Sequence, residues 1–389
     1  MKEHDIAHSA RRQPYILPNF VNLNFNEVKD LVFSIARTLL NKNIPFCIYR
    51  FPFGDDLNIG LKKGVLPNET GKVFWLAPFV QSSSAHEIFF DVIPGDKVNH
   101  DLVKQIESLP GESFSWSRMP AYTGQKTYFE QVEKILKEIR QKHIRKAVLS
   151  RIDLIEKRDY FDPLKCFKKL CSRHKGAFVH LLFHQDAGLW LGATPELLLL
   201  KNGSEYKTMA LAGTQPLKKG NDYHWRKKEL QEQEMVQEHI ESVFSKFGCK
   251  ISFKHGPLTV EAGPVVHLKT DYEFEETSPV DLKKLLARLH PTPAVGGLPV
   301  AESLKCIHDV EGYDRKYYAG FIGETDFSNY ARLYMNLRCM QVGKEKIAVY
   351  CGGGITAGSD PREEWDETKQ KCKTMLDTMV DLHENETVR

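Results

Sequence analysis

Between two β-prone runs, Glu196 to Lys201 and Tyr206 to Gly213, the chain carries Asn202-Gly203. A two-residue Asn-Gly connection supplies the left-handed backbone that matches the twist of paired strands, so it doubles the chain back as a hairpin. Two further runs, Ala177 to His184 and Gly188 to Ala193, precede it with the same β-rich character. Strands in direct succession make an antiparallel sheet, because parallel neighbours need a long crossover between them. The sheet is therefore not doubly wound.

Helical and extended segments alternate around this block. Asn26 to Leu40 reads as a helix, while Phe46 to Phe51 and Ile88 to Ile93 read as strands by their aromatic and β-branched content. Thr127-x-x-Glu130 has the form of a capping box, and Val132, Ile135, Leu136 and Ile139 follow at helical spacing to about Lys142. Ile144 to Leu154 alternates like a strand with one buried face. A charged helix spans residues 226–247 and stops at Gly248; another spans Ser278 to Leu289, and a short one Ala301 to Asp309. A hairpin is expected from Ala331 to Tyr350, with Arg338 on one of its strands. The fold class is α+β.

A chain of 389 residues buries a large core, as a single large domain over residues 1–389 or as two intimately packed halves. Residues 1–120 carry no legible chemistry, and the motifs fall within 125–382. The net charge of +3 leaves no basic footprint for nucleic acid. No window holds the ~18 consecutive apolar residues of a membrane span. Met1 to Asp5 is polar and lacks a signal-peptide core, and the eight cysteines are scattered without CxxC pairs. Reduced thiols in a cytoplasmic protein, monomeric or homodimeric, are the expectation.

The chemistry-bearing stretch lies near the C-terminus, from Tyr350-Cys351-Gly352-Gly353-Gly354 to Lys371. A β-rich segment runs into three glycines, a polar turn and a helix opening at Pro361 with Asp360 as N-cap. Glycines let backbone amides approach an anion closely. The helix carries Glu364, Glu367 and Lys371 at i, i+3 and i+7, so two carboxylates and an ammonium share a face. Such carboxylates suit a hard divalent cation, and a small anionic molecule bridged to magnesium is the natural occupant. The plain alternative is a solvated helix face after a loose turn.

Glu229 and Glu232 repeat the i, i+3 spacing in the 226–247 helix, where surface placement is equally open. Lys146 opens a strand as a solvated edge residue or, if its face lines a pocket, as a base. Glu196, opening an apolar run, is a pinned structural acid or a general acid. His290-Pro291-Thr292-Pro293-Ala294-Val295-Gly296-Gly297 is a loop held in one shape, either lining a site or connecting. A buried Arg338 would need an anionic partner.

Taken in order, Lys146-Ala147-Val148-Leu149-Ser150-Arg151, Gly192-Ala193-Thr194-Pro195-Glu196-Leu197, Leu211-Ala212-Gly213-Thr214, the His290 loop, Tyr318-Ala319-Gly320 and the closing glycine-to-helix stretch resemble the chorismate-binding enzymes. That family includes isochorismate, anthranilate, aminodeoxychorismate and salicylate synthases. The resemblance implies large, mainly antiparallel sheets with helices packed outside and an active site between two halves. It implies that Glu232 and Glu367 bind magnesium, with Glu229 and Glu364 as outer partners holding metal-bound water. Here Gln233 follows Glu232 where relatives usually have histidine, and Glu229 stands where many have aspartate. Arg338, Lys371 and the amides near Gly213, Thr214, Gly352 and Gly354 match positions that hold the carboxylates of chorismate, and Tyr318 matches one beside its pyruvyl arm.

In isochorismate synthases the lysine matching Lys146 is the base on a water attacking ring C2, and the glutamate matching Glu196 protonates the departing C4 hydroxyl. The resemblance therefore implies a lysine pKa shifted down and a glutamate pKa shifted up. Lys146 argues against anthranilate synthases, Gly213-Thr214 against aminodeoxychorismate synthases, and Ala294 fits isochorismate synthases, where the others tend to have threonine. Isochorismate synthase is thus the expected activity. Salicylate synthase is the nearest rival, an amine-adding relative is more distant, and a glycine-rich anion- or nucleotide-binding module is the non-enzymatic reading.

Overall fold

The structure, a computed structural model, describes residues 25–82, 84–218 and 223–384. The polar N-terminal stretch read above lies outside the described residues. The chain runs from α1 (Phe25–Asn41) through β1 (Phe46–Arg50), β2 (Asn58–Lys62), β3 (Val73–Ala77) and β4 (Ile88–Ile93) to α2 (His100–Ser108). Then α3 (Gln125–Arg140) leads into β5 (Lys146–Glu156), and α4 (Pro163–Arg173) into β6 (Phe178–His184), β7 (Gly188–Thr194), β8 (Leu197–Asn202) and β9 (Glu205–Pro216). Next come α5 (Lys227–Lys246), the long hairpin β10 (Cys249–Ala262) and β11 (Val265–Glu276), α6 (Leu282–Leu289), β12 (Gly297–Leu298) and α7 (Val300–Glu311). Finally β13 (Phe321–Thr325), β14 (Tyr330–Met335), β15 (Cys339–Val342) and β16 (Lys346–Ile355) precede α8 (Pro361–Glu384).

These strands form one 16-stranded sheet in the order β10-β11-β9-β8-β14-β13-β3-β4-β2-β1-β6-β7-β15-β16-β5-β12. The expected hairpin joins β8 to β9, one residue later than read: Asn202 pairs with Glu205, and Gly203, at φ +59°, begins the turn. β1 to β4 are inserted mid-sheet, between β13 and β6.

The inner strands are buried on both faces, so they read as apolar runs rather than alternating ones. In β1, Cys47 and Tyr49 join one core with Tyr128 of α3, Val236 of α5 and Leu282 of α6. Phe46 and Ile48 join the other with Val32 of α1, Leu102 of α2 and Phe167 of α4. Each large apolar side chain so buried contributes about 1.5–3 kcal/mol. Residues near opposite ends of the strand order, from β9 and β11 and from β5 and β16, line one cavity. The sheet is therefore curled until its two arms face each other, and α8 touches β9 across the seam. Among the described residues no helix is long and apolar enough to cross a membrane.

Several local expectations shift. α3 is capped by the backbone of Gly124, which places Thr127 inside the first turn and removes the capping box. α6 starts at Leu282 because the Asp281 side chain accepts from the Lys284 amide at 3.1 Å. β14 pairs with β13 and β8 and not with β15, so the hairpin of this region is β15–β16. Arg338 lies in the turn between β14 and β15, at φ +48°, rather than on a strand.

Candidate active site

The three glycines continue β16 instead of forming a loop: Gly352 pairs with Ser150 and Gly354 with Val148 of β5. β15 has ended by then, its Cys339 opposite Tyr350, so Cys351 to Ile355 are paired by β5 alone and the other edge faces the cavity. What the glycines supply is space. A Cβ on Gly354 would lie 2.3 Å from Glu232 Oε1 and 2.9 Å from Lys146 Cε, and one on Gly353 would touch Glu364 Oε2 and Glu367 Oε1 at 3.4 and 3.5 Å.

Lys146 is fully buried, its Nζ 2.9 Å from Glu232 Oε1 and its carbonyl held by Ser303 Oγ at 2.8 Å. β12 covers this end of β5, which removes the solvated-edge reading. Behind it, Arg315 and Glu311 form a buried ion pair at 2.5 Å that bonds the Ser150 amide and the Val295 carbonyl, bracing β5 against the loop containing Ala294.

Both helical glutamate pairs point inward, and each carboxylate has one cation. Glu232 faces Lys146, Glu229 takes Arg226 at 2.7 Å, Glu367 takes Lys371 at 2.7 Å, and Glu364 bonds Lys228. Burial alone would raise the Glu232 carboxyl, but Lys146, with Lys371 and Lys228 behind it, holds it below the usual carboxylate range. Glu364 is pushed up to about 7, by burial and by Glu367 beside it. Burial works against the Lys228 charge, yet Glu364, Glu367 and Glu232 together hold its pKa above that of an ordinary lysine. One oxygen of Glu229 and one of Glu364, both Oε2, are buried without any partner. Among the described residues no three acid, histidine or cysteine groups are drawn into a preformed metal cage. Even so, the residues fit a hard cation: two orphaned carboxylate oxygens, and glycines that leave room where side chains would stand.

Across the cavity, burial pushes the Glu196 carboxyl up to about 7 against the opposing pull of Lys146, Arg338 and Lys371. Arg338 is half-buried and gives Nη2 to His267 Nε2 at 3.1 Å, while its Nη1 is buried with no partner. His267 was not legible as a site residue. Because the guanidinium can only donate, His267 Nε2 accepts, and its proton sits on Nδ1, which donates to the Gly213 carbonyl at 3.0 Å beside Thr214 Oγ1 at 3.2 Å. Burial and then the charges of Arg338 and Lys371 hold its pKa well below that of an ordinary histidine, so it stays neutral.

Gly213 is the extra residue of a bulge between β9 and β11, at φ +66° with the Glu229 Cβ only 3.1 Å from where its own would be. Lys371 Nζ also donates to the Gly352 carbonyl at 3.1 Å. Tyr318 stacks on Tyr350 at 5.4 Å, and its hydroxyl lies 3.0 Å from the Cβ position of Gly352. The Ala294 amide donates to Thr292 Oγ1 at 3.3 Å. Gln233, the departure noted after Glu232, bonds the Ala210 carbonyl and Thr270 Oγ1, both at 3.1 Å, and ties α5 to β9 and β11.

The sequence pattern of the chorismate binding enzymes matches residues 80–380. The chain belongs to that family. Within it, the chain is 29% identical to isochorismate synthase EntC of Escherichia coli strain K12 over 239 residues, 59% of this chain and 61% of that protein. The alignment thus spans less than two thirds of the relative's length. The fold matches the solved menaquinone-specific isochorismate synthase MenF of Escherichia coli with a TM-score of 0.68 at 19% identity, covering 85% of this chain and 88% of that one. It also matches anthranilate synthase component I of Streptococcus pneumoniae TIGR4, with a TM-score of 0.62 at 16% identity over 85% and 92% of the two chains. One chorismate-binding fold therefore carries proteins named for different reactions, and side chains must decide between them.

Proposed function

We propose that this chorismate-binding enzyme converts chorismate to isochorismate. The observation that carries the reading is Glu196 lining the same cavity as Glu232, whose Oε1 lies 2.9 Å from Lys146 Nζ, with the Glu196 carboxyl shifted towards a proton donor near neutral pH. Arg338, with its unpartnered Nη1, and Lys371 take the substrate carboxylates, and neutral His267 fixes the guanidinium plane. Tyr318 packs beside the pyruvyl arm and Ala294 leaves the loop side of the cavity open.

Glu232 and Glu367 would hold magnesium, with Glu229 and Glu364 around it; bound there, the metal anchors the ring carboxylate and supports charge redistribution. Lys146, relieved of Glu232, takes the proton of a water whose oxygen bonds to C2. The C4–O bond breaks as Glu196 passes its proton to the departing oxygen, so one water enters and one leaves.

A general acid must be protonated to act. With Glu196 at about 7, kcat/KM should fall roughly ten-fold per pH unit above that value. The test of the function is product analysis after incubation with chorismate and magnesium. Isochorismate alone supports the reading; salicylate with pyruvate, or a product formed only with ammonia, overturns it.

A further inference from the structure

Lys146 and Lys371 have roles in the proposed reaction; Lys228 has none. It stands in the first turn of α5, bonded across the seam to Glu364 of α8. Instead of the substrate cavity it lines a second one, together with Arg226, Glu363, Glu364, Asp366 and Glu367. Its side chain is 12% exposed and that of Glu364 only 1%, so this is not a solvated surface pair. Burying a lysine is costly unless its charge offsets others nearby. Glu364 is only half satisfied: Lys228 takes Oε1, and the buried Oε2 has no partner.

Resting on the magnesium reading above, we propose that Lys228 is a built-in counter-ion that competes with the divalent cation for the α5 and α8 carboxylates, and so sets the metal affinity of the enzyme. The sign does not depend on what Lys228 does when metal arrives. If it stays, its charge repels the dication; if it swings into the second cavity, an ion pair is lost. Either way the lysine weakens binding, keeps the metal exchangeable, and keeps the metal-free protein folded by neutralising a buried acid.

Magnesium chloride titrated calorimetrically into full-length wild type, Lys228→Gln and Lys228→Arg, without chorismate, tests this. Lys228→Gln should bind magnesium about ten-fold more tightly, and Lys228→Arg should bind it as wild type does. The metal-free melting temperature of Lys228→Gln should fall, with magnesium closing most of the gap. Lys228→Met removes the same charge with an apolar stem, should the glutamine variant fold poorly. Unchanged or weaker affinity in the charge-removed variants overturns this inference alone. A wild-type protein that binds no magnesium overturns the metal assignment, and this inference with it.

Discussion

α5 and α8 carry the same pattern, two glutamates at i, i+3 near the N-terminus of a helix, yet the fold treats them differently. On α5, Glu232 meets a lysine from a strand, and Glu229, the more buried of the two, is tied to Arg226 just outside the helix. On α8, Glu367 meets Lys371 one turn along its own helix, and Glu364 is neutralised by Lys228 from the other helix. β16 repeats the contrast: Gly354 faces the α5 carboxylate at a separation that admits no side chain, while Gly353 faces the α8 pair at ordinary contact. A local acidic pattern therefore says little by itself. The cation that meets it and the backbone opposite decide whether it is surface or site.

The largest expected effects lie at the carboxylates. Glu232→Gln and Glu367→Gln should each lower kcat about 10³-fold and abolish the magnesium response. Glu229→Gln and Glu364→Gln should cost only about ten-fold, in keeping with an outer role. Equal losses across all four in magnesium-dependent kinetics would erase the distinction. The glycines come next. Gly354→Ala forces Glu232 or Lys146 to move and should cost about 10²-fold in kcat/KM, whereas Gly353→Ala should cost less than about five-fold. The smallest effect belongs to Arg226, whose side chain is mostly exposed. Arg226→Ala should change turnover less than about three-fold and lower the melting temperature slightly; a large loss of activity would mean that Glu229 has an inner role.

Much of the architecture was readable because strand succession and a glycine-led hairpin leave few alternatives, and the carboxylate spacing marked both helices. Other features were not readable, for identifiable reasons. Gly352 to Gly354 looked like a loop because glycine normally breaks strands; here they continue one, and at Gly352 and Gly354 neighbouring groups occupy the space a side chain would need. Arg338 looked like a strand residue by alternation, but it adopts a left-handed backbone that non-glycine residues rarely show, and only the surrounding turn reveals it. His267 sits in an unremarkable run, Val265-Val266-His267-Leu268, and its importance comes from Arg338, 71 positions away. Lys228 was one charge among many on α5 until α8 packed against it.

In the proposed reaction water enters at C2 as the C4 hydroxyl leaves, between Lys146 and Glu196. Turnover of chorismate in water enriched in heavy oxygen, followed by mass analysis of the product, tests this most directly. The expected product is isochorismate carrying one heavy oxygen, located on C2. Product without label, or with the original C4 oxygen retained, would contradict it.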